Sequence, residues 1–266
     1  MLTFFDKLIN PTLLIVLNIL ILVASEFVGG GTYFDESGMI HAVAIVFVVL
    51  IVIRILSDYA YGDAMLKTFS KIQVGFFLFL GIIHVYEYLG LNVLPMRAEI
   101  VEFSVLSAYL LWFLGNVIAL EFMFRSYTKR ATFWCIPGCL LTGLLTVYLV
   151  WLNFSHNLID ALPSWAPHAA LFAVFALAIG TSVALSRLKV IMPIFENYGK
   201  YAIAANVFVA IVAFSEYTEA TGILTDRGFS ATQNLYLSHY PVFIALSLLL
   251  VAVGKFKRPT GIYADL

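Results

Sequence analysis

An all-α, polytopic membrane protein is the fold class this sequence predicts, and three observations predict it. First, 62% of the 266 residues are hydrophobic and only 12% are charged, against about a quarter charged in a soluble domain. Second, the apolar residues fall into stretches of about 20, the length a helix needs to cross the hydrocarbon. Third, the basic residues segregate along the chain as the positive-inside rule requires. This composition excludes a soluble enzyme, a disordered chain and a disulfide scaffold, and a net charge of −1 argues against nucleic acid as a partner. Two cysteines are too few for an iron–sulfur cluster or a thiolate zinc site within the chain.

Eight stretches qualify as spans: 11–28, 39–56, 72–91, 101–124, 132–152, 167–186, 201–220 and 234–253. The first has signal-peptide features, with Lys7 before the apolar run and Ala24-Ser25 after it. It continues to Val28 before Gly29-Gly30-Gly31, which reads as an uncleaved helix. With an even number of spans, one side holds Lys7, Arg54, Lys67, Lys71, Arg125, Lys129, Arg130, Arg187, Lys189, Lys200, Lys255, Lys257 and Arg258, and the other only Arg97 and Arg227. Both termini are therefore expected in the cytoplasm.

The spans also repeat. Lys71 through Glu87-Tyr88 aligns with Lys200 through Glu216-Tyr217 at an offset of 129. Spans two and six open on His41-Ala42 and His168-Ala169, and spans four and eight share Ser107-Ala108-Tyr109 and Ser238-His239-Tyr240, at offsets of 127 and 131. Two four-helix halves, 1–130 and 131–266, are expected. An even-numbered unit makes them parallel repeats about an axis along the membrane normal.

Orientation assigns each ionisable residue a depth. Glu26 ends span one outside, and His41 and His168 open spans two and six there. His84 and Glu87 lie i, i+3 near the outer end of span three, and Glu216 and Glu219 repeat that spacing in span seven. At 1.5 Å per residue, His84 and His239 sit about 10 Å below the outer boundary. Wet helix ends account for Glu26, His41, Glu99, Glu102 and His168. His84, Glu87, Glu216 and His239 lie deeper, where ionisable groups are costly and mark sites or pathways.

Four kinds of chemistry use such residues. A quinol gives up two electrons and two protons, so its pocket needs apolar walls and a His or carboxylate to accept the phenolic proton. Tyr86, Tyr88, Phe214, Tyr217 and Tyr240 are candidates to line a ring slot, and Glu26 is a further cofactor-binding candidate. Alternatively His84, Glu87, Glu216 and His239 ligate a metal in a metal-dependent membrane enzyme. Bis-His haem between His84 and His239 lacks a second matched pair for electron transfer across the membrane, so no haem is expected. A small-solute or proton transporter would need an inner polar ladder, for which Asn18, Gln73, Ser107, Asn116 and Thr142 are the available residues. Cys135 with Cys139, and His156 with Asp160, read as packing and loop polarity.

The eight-span layout, its two halves and the stretch Gly199-Lys200 through Phe214-Ser215-Glu216-Tyr217 resemble the polysulfide reductase-type (NrfD-like) membrane subunits. The last span does not carry the Gly-Glu…Gly-Arg pattern common in that family. The resemblance implies a haem-free subunit of the bacterial inner membrane that binds menaquinone or ubiquinone near the outer face. It also implies a periplasmic iron–sulfur or cytochrome partner, docked here on loops 29–38, 90–100, 153–166 and 221–233. Glu216 becomes the proton-handling residue, with Glu87 its repeat mate. His84 and His239 would hydrogen-bond the quinone oxygens, with Tyr88, Tyr217 and Glu26 alongside.

Overall fold

A computed structural model of the chain describes residues 11–27, 39–59, 64–92, 166–191, 195–220 and 223–255. It shows six helices: α1 (Pro11–Phe27), α2 (Met39–Tyr59), α3 (Ala64–Asn92), α4 (Ala166–Ile191), α5 (Phe195–Ala220) and α6 (Ala231–Val253). They correspond to spans one, two, three, six, seven and eight. Spans 101–124 and 132–152 and both chain termini lie outside the described residues.

Four of the helices are long and apolar enough to cross a membrane, through Ile40–Ser57, Leu66–Val85, Leu171–Leu188 and Phe195–Ser215. Helices are the expected outcome, because a backbone in lipid must satisfy its own hydrogen bonds. Their outward faces are apolar: on α2, Val46, Val49, Ile53 and Leu56 are all exposed. Water would not tolerate so continuous an apolar surface; lipid does.

α3 and α5 begin earlier than their apolar stretches, at Ala64 and Phe195 rather than 72 and 201. The added turns are amphipathic and carry their own charges. Lys200 donates to Glu196 at 2.9 Å, an i, i+4 pair that supports the first turns of α5 in a wet interface. α6 begins at a capping box: Gln233 N–H donates to Ser230 Oγ at 3.2 Å, and Ser230 N–H donates to Gln233 Oε1 at 2.9 Å. Before it, Leu224 O accepts from the N–H groups of Arg227 and Phe229, and Gly228 takes a φ of 87° that favours glycine.

α2 pairs with α3 and α4 with α5; α6 packs along α5, crosses α2 and touches α1. Fully buried Phe69, Phe195 and Phe243 fill the joints. Phe69 meets Phe195 and Tyr198 with ring centres 5.5 and 5.9 Å apart, which brings the starts of α3 and α5 together. Arg54, only 5% exposed, lies against the C-terminus of α6 at Gly254, where the helix dipole favours a cation. Arg54, Lys67, Lys71, Arg187, Lys200 and Lys255 therefore gather at one end of the bundle, the basic end. His41, His84 and His239 lie toward the other.

Between the ends, polar side chains tie helices together. Asn206 Nδ2 donates to Thr181 Oγ1 at 3.0 Å and Ser182 Oγ at 3.2 Å, linking α5 to α4. Asn18 Nδ2 donates to Ser247 Oγ at 2.8 Å, linking α1 to α6, and to its own Leu14 O at 2.8 Å. Each such bond replaces an unsatisfied polar group in hydrocarbon.

Candidate functional site

Three histidines from three helices meet at the end opposite the basic one. His41 stands in the first turn of α2, His84 in α3 and His239 in α6. The His41 ring lies 5.9 Å from that of His84 and 6.1 Å from that of His239, centre to centre. His41 and His84 are 7% and 5% exposed, and His239 is half-buried.

Local sequence explains the convergence. One turn inward of His84, Gly81 lets α3 approach α2 closely: a Cβ there would stand 3.2 Å from Val48 Cγ1. Two residues beyond His239, Pro241 lies inside α6 and removes the helical hydrogen bond to the Leu237 carbonyl, a relaxation point beside the site. Below the imidazoles is an aromatic floor. Phe47 of α2 stacks with Phe243 of α6 at 6.3 Å, and Tyr240 packs edge-on against Phe243 at 6.3 Å and beside Tyr236 at 5.2 Å. The buried Tyr236 hydroxyl has no hydrogen-bond partner among the described residues. It is one turn from His239.

Of the residues expected from sequence, the structure gathers His84 and His239 about a common neighbour, His41. His41 itself departs from expectation. It is no wet helix-end residue but a buried one, level with the other two. The helices do not end together: α3 runs eight residues beyond His84 and α6 starts eight before His239, whereas α2 starts only two before His41. Depth counted from each helix's own end therefore misplaced it. The sequence signal for Pro241 is Ser238-His239-Tyr240-Pro241, a proline following a histidine in mid-span; Tyr236 carries no comparable signal.

Tyr217 meets His168, rings 5.2 Å apart, at the matching end of the α4–α5 pair, and His168 is exposed. Tyr88 is half-buried near the end of α3. Glu26, Glu87 and Glu216 belong to α1, α3 and α5, but their side chains lie outside what is described, so the four-residue metal set is not placed. Among the described residues no three His, Cys, Asp or Glu side chains are arranged to hold a metal ion. Of the polar residues considered for a transport path, Asn18 is engaged in the α1–α6 link and Gln73 is buried at 3% exposure. Ser107, Asn116, Thr142, the two cysteines, His156 and Asp160 lie outside the described residues.

Chemically, the cluster combines groups that accept and donate protons with flat aromatic walls, in an apolar bundle. A neutral imidazole has one donor and one acceptor nitrogen. Set against protein-family models, curated proteins and solved structures, the chain matches none. Function is therefore argued from the site itself.

Proposed function

We propose that the chain is a quinone-interacting membrane subunit of a respiratory oxidoreductase. The observation that supports this most is the meeting of His41, His84 and His239 above the Phe47–Phe243–Tyr240 floor. In this reading His84 and His239 hydrogen-bond the two ring oxygens, and the aromatic floor holds the ring plane. Tyr236 offers a further hydroxyl. Glu87 and Glu216, in the outer turns of α3 and α5, would take up and release protons, and Tyr88, Tyr217 and Glu26 remain the further residues expected from sequence to contact the cofactor. A quinol supplies two electrons and two protons. The electrons pass to an iron–sulfur or cytochrome partner docked on the outer loops, because this chain holds no cysteine cluster to carry them.

The basic end of the bundle is then the cytoplasmic one, in keeping with the positive-inside rule, and the histidine end faces the periplasm of a bacterial inner membrane. The full arrangement comprises eight spans in two parallel halves, with both termini cytoplasmic. In support, α2 pairs with α3 as α4 pairs with α5, the order that a duplication of spans one to four would produce.

The test is a binding titration of decylubiquinone and menadione against the purified full-length protein in nanodiscs, paired with elemental analysis. Saturable binding of either quinone, weakened about tenfold by His84→Leu or His239→Leu, is the expected result, since one lost hydrogen bond in an apolar site costs on the order of 1 kcal/mol or more. Absence of binding contradicts the reading. So does stoichiometric iron, copper or zinc that is lost on His84→Ala, which would establish a metal-dependent membrane enzyme instead.

A further inference from the structure

The α4–α5 pair carries a cavity that the histidine cluster does not use. A groove of about 680 Å³ runs between the two helices, in the size range of ligand sites. Ala178, Asn206 and Ala210 form its buried floor, and Ile179, Val183 and Ile211 stand beside it as exposed walls. We infer that this groove binds one acyl chain of a phosphatidylethanolamine, whose phosphate is held at the His168–Tyr217 rim. Tyr217 then serves the lipid head rather than the cofactor. The inference stands whether or not a quinone binds at His41, His84 and His239.

The groove follows from side-chain size. At the offsets of 127 and 129 that align the spans, Ala178, Ser182 and Asn206 correspond to Ile51, Ile55 and Phe77 on α2 and α3. Those three are large, apolar and buried. On α4 and α5 smaller or polar residues stand at the same positions, and the space left between the helices is the groove. Its described lining holds no charged side chain. Asn206 Nδ2 donates to Thr181 Oγ1 and to Ser182 Oγ, so an alkyl chain laid over the floor does not strand those donors. An empty trough of this size would leave its lining without dispersion contacts, and a hydrocarbon chain supplies them.

Helical spacing carries the groove up to a polar rim. His168, Phe175, Ile179, Ser182 and Ser186 recur at intervals of seven, four, three and four residues, one stripe of α4. Tyr217, Phe214, Ala210 and Asn206 form the matching stripe of α5, at intervals of three, four and four. At the top the His168 and Tyr217 rings meet, 5.2 Å apart. At 1.5 Å per residue the groove begins about 10 Å below His168 and continues past the depth of one leaflet's hydrocarbon, about 15 Å. An imidazole N–H and a phenol O–H both donate to phosphate oxygens. Charge at this end selects the rest of the head. The first three turns of α4 and the last three of α5 contain no Lys or Arg, whereas the last two turns of α5 carry Glu216 and Glu219. Carboxylates there favour a head bearing an ammonium over an anionic one.

The experiment is native mass spectrometry of the delipidated full-length protein, titrated with palmitoyl-oleoyl phosphatidylethanolamine or with the phosphatidylglycerol of the same chains. One phosphatidylethanolamine per chain is expected to be retained, at about tenfold lower concentration than the phosphatidylglycerol requires. Ala178→Ile combined with Ser182→Ile, which sets the α2 residues into the groove, should abolish retention. His168→Leu should weaken it about tenfold, the loss of one hydrogen bond to a charged group. If the double variant does not fold, Val207→Trp, on an exposed wall of the groove, takes its place and should abolish retention likewise. Equal retention of the two lipids overturns the inference, as does retention unmoved by the groove-filling variants or by His168→Leu. A dimer that the groove-filling variants dissociate, with lipid retention unchanged, also overturns it and makes the groove an interface between copies of the chain.

Discussion

His41 and His168 stand 127 residues apart, each followed by alanine and each near the start of its helix, and they end in different surroundings. His41 is buried where α2, α3 and α6 converge; His168 is exposed and meets only the edge of Tyr217 among the ring contacts described. The difference arises from their neighbours. Position 84 on α3 is histidine, whereas its counterpart 129 residues later, Ala213 on α5, is a fully buried alanine. α6 crosses α2 and brings His239; α4 packs chiefly against α5. On that side polarity is invested in the Asn206–Thr181–Ser182 link, beside an apolar groove of about 680 Å³ lined by Phe175, Ile179, Val207 and Phe214. A single histidine at a helix end is an interface residue, whereas three delivered by three helices make a site.

The largest expected effect separates the two regions directly. Replacing both His84 and His239 by Leu should weaken decylubiquinone binding about a hundredfold, from two lost hydrogen bonds of on the order of 1 kcal/mol or more each. His168→Leu should leave the titration unchanged. Equal loss in both variants would erase the distinction. Gly81→Leu comes next: its side chain must enter the space of Val48 Cγ1, 3.2 Å from a Cβ. Overpacking of this kind costs about 1–3 kcal/mol, so thermal stability should fall and quinone binding should weaken as α3 is pushed from α2. Gly180→Leu on α4, where a Cβ meets nothing within 4 Å, is the matched control and should do neither.

Smaller effects are expected from the polar links. Asn206→Leu should lower stability by about 0.6–1.7 kcal/mol, the range for hydrogen bonds between membrane helices, without altering quinone affinity. Unfolding in mixed micelles followed by circular dichroism measures the first and the binding titration the second. Asn18→Leu should cost least, about 0.6 kcal/mol, because only one of its two bonds reaches another helix. A larger loss for Asn18 than for Asn206 would place the mechanical centre of the bundle at α1–α6 rather than α4–α5.

Much of the helical frame is legible in the sequence. The apolar runs at 39–56 and 167–186 lie within the helices Met39–Tyr59 and Ala166–Ile191, both long and apolar enough to cross a membrane, because length and hydropathy mark the apolar part of such a helix. The starts of α3 and α5 were not, since Lys67, Lys71, Glu196 and Lys200 look like loop residues to a hydropathy count although they extend helices into the interface. In the site, His84 and His239 were legible as residues of equal depth. His41 was not, because depth was counted from its own helix end, and whether helix ends are level is a property of packing. Nor does sequence show which hydroxyl, such as that of Tyr236, is left buried without a partner.

The most direct test of a quinone site at the histidine cluster is photolabelling of the full-length protein in proteoliposomes with an azido-substituted ubiquinone, followed by peptide mapping. The predicted result is a set of adducts on the segments of α2, α3 and α6 around His41, His84 and His239, suppressed by excess decylubiquinone and lost in the His84→Leu, His239→Leu double variant. Suppressible adducts confined to α4 and α5, or none at all, would contradict it.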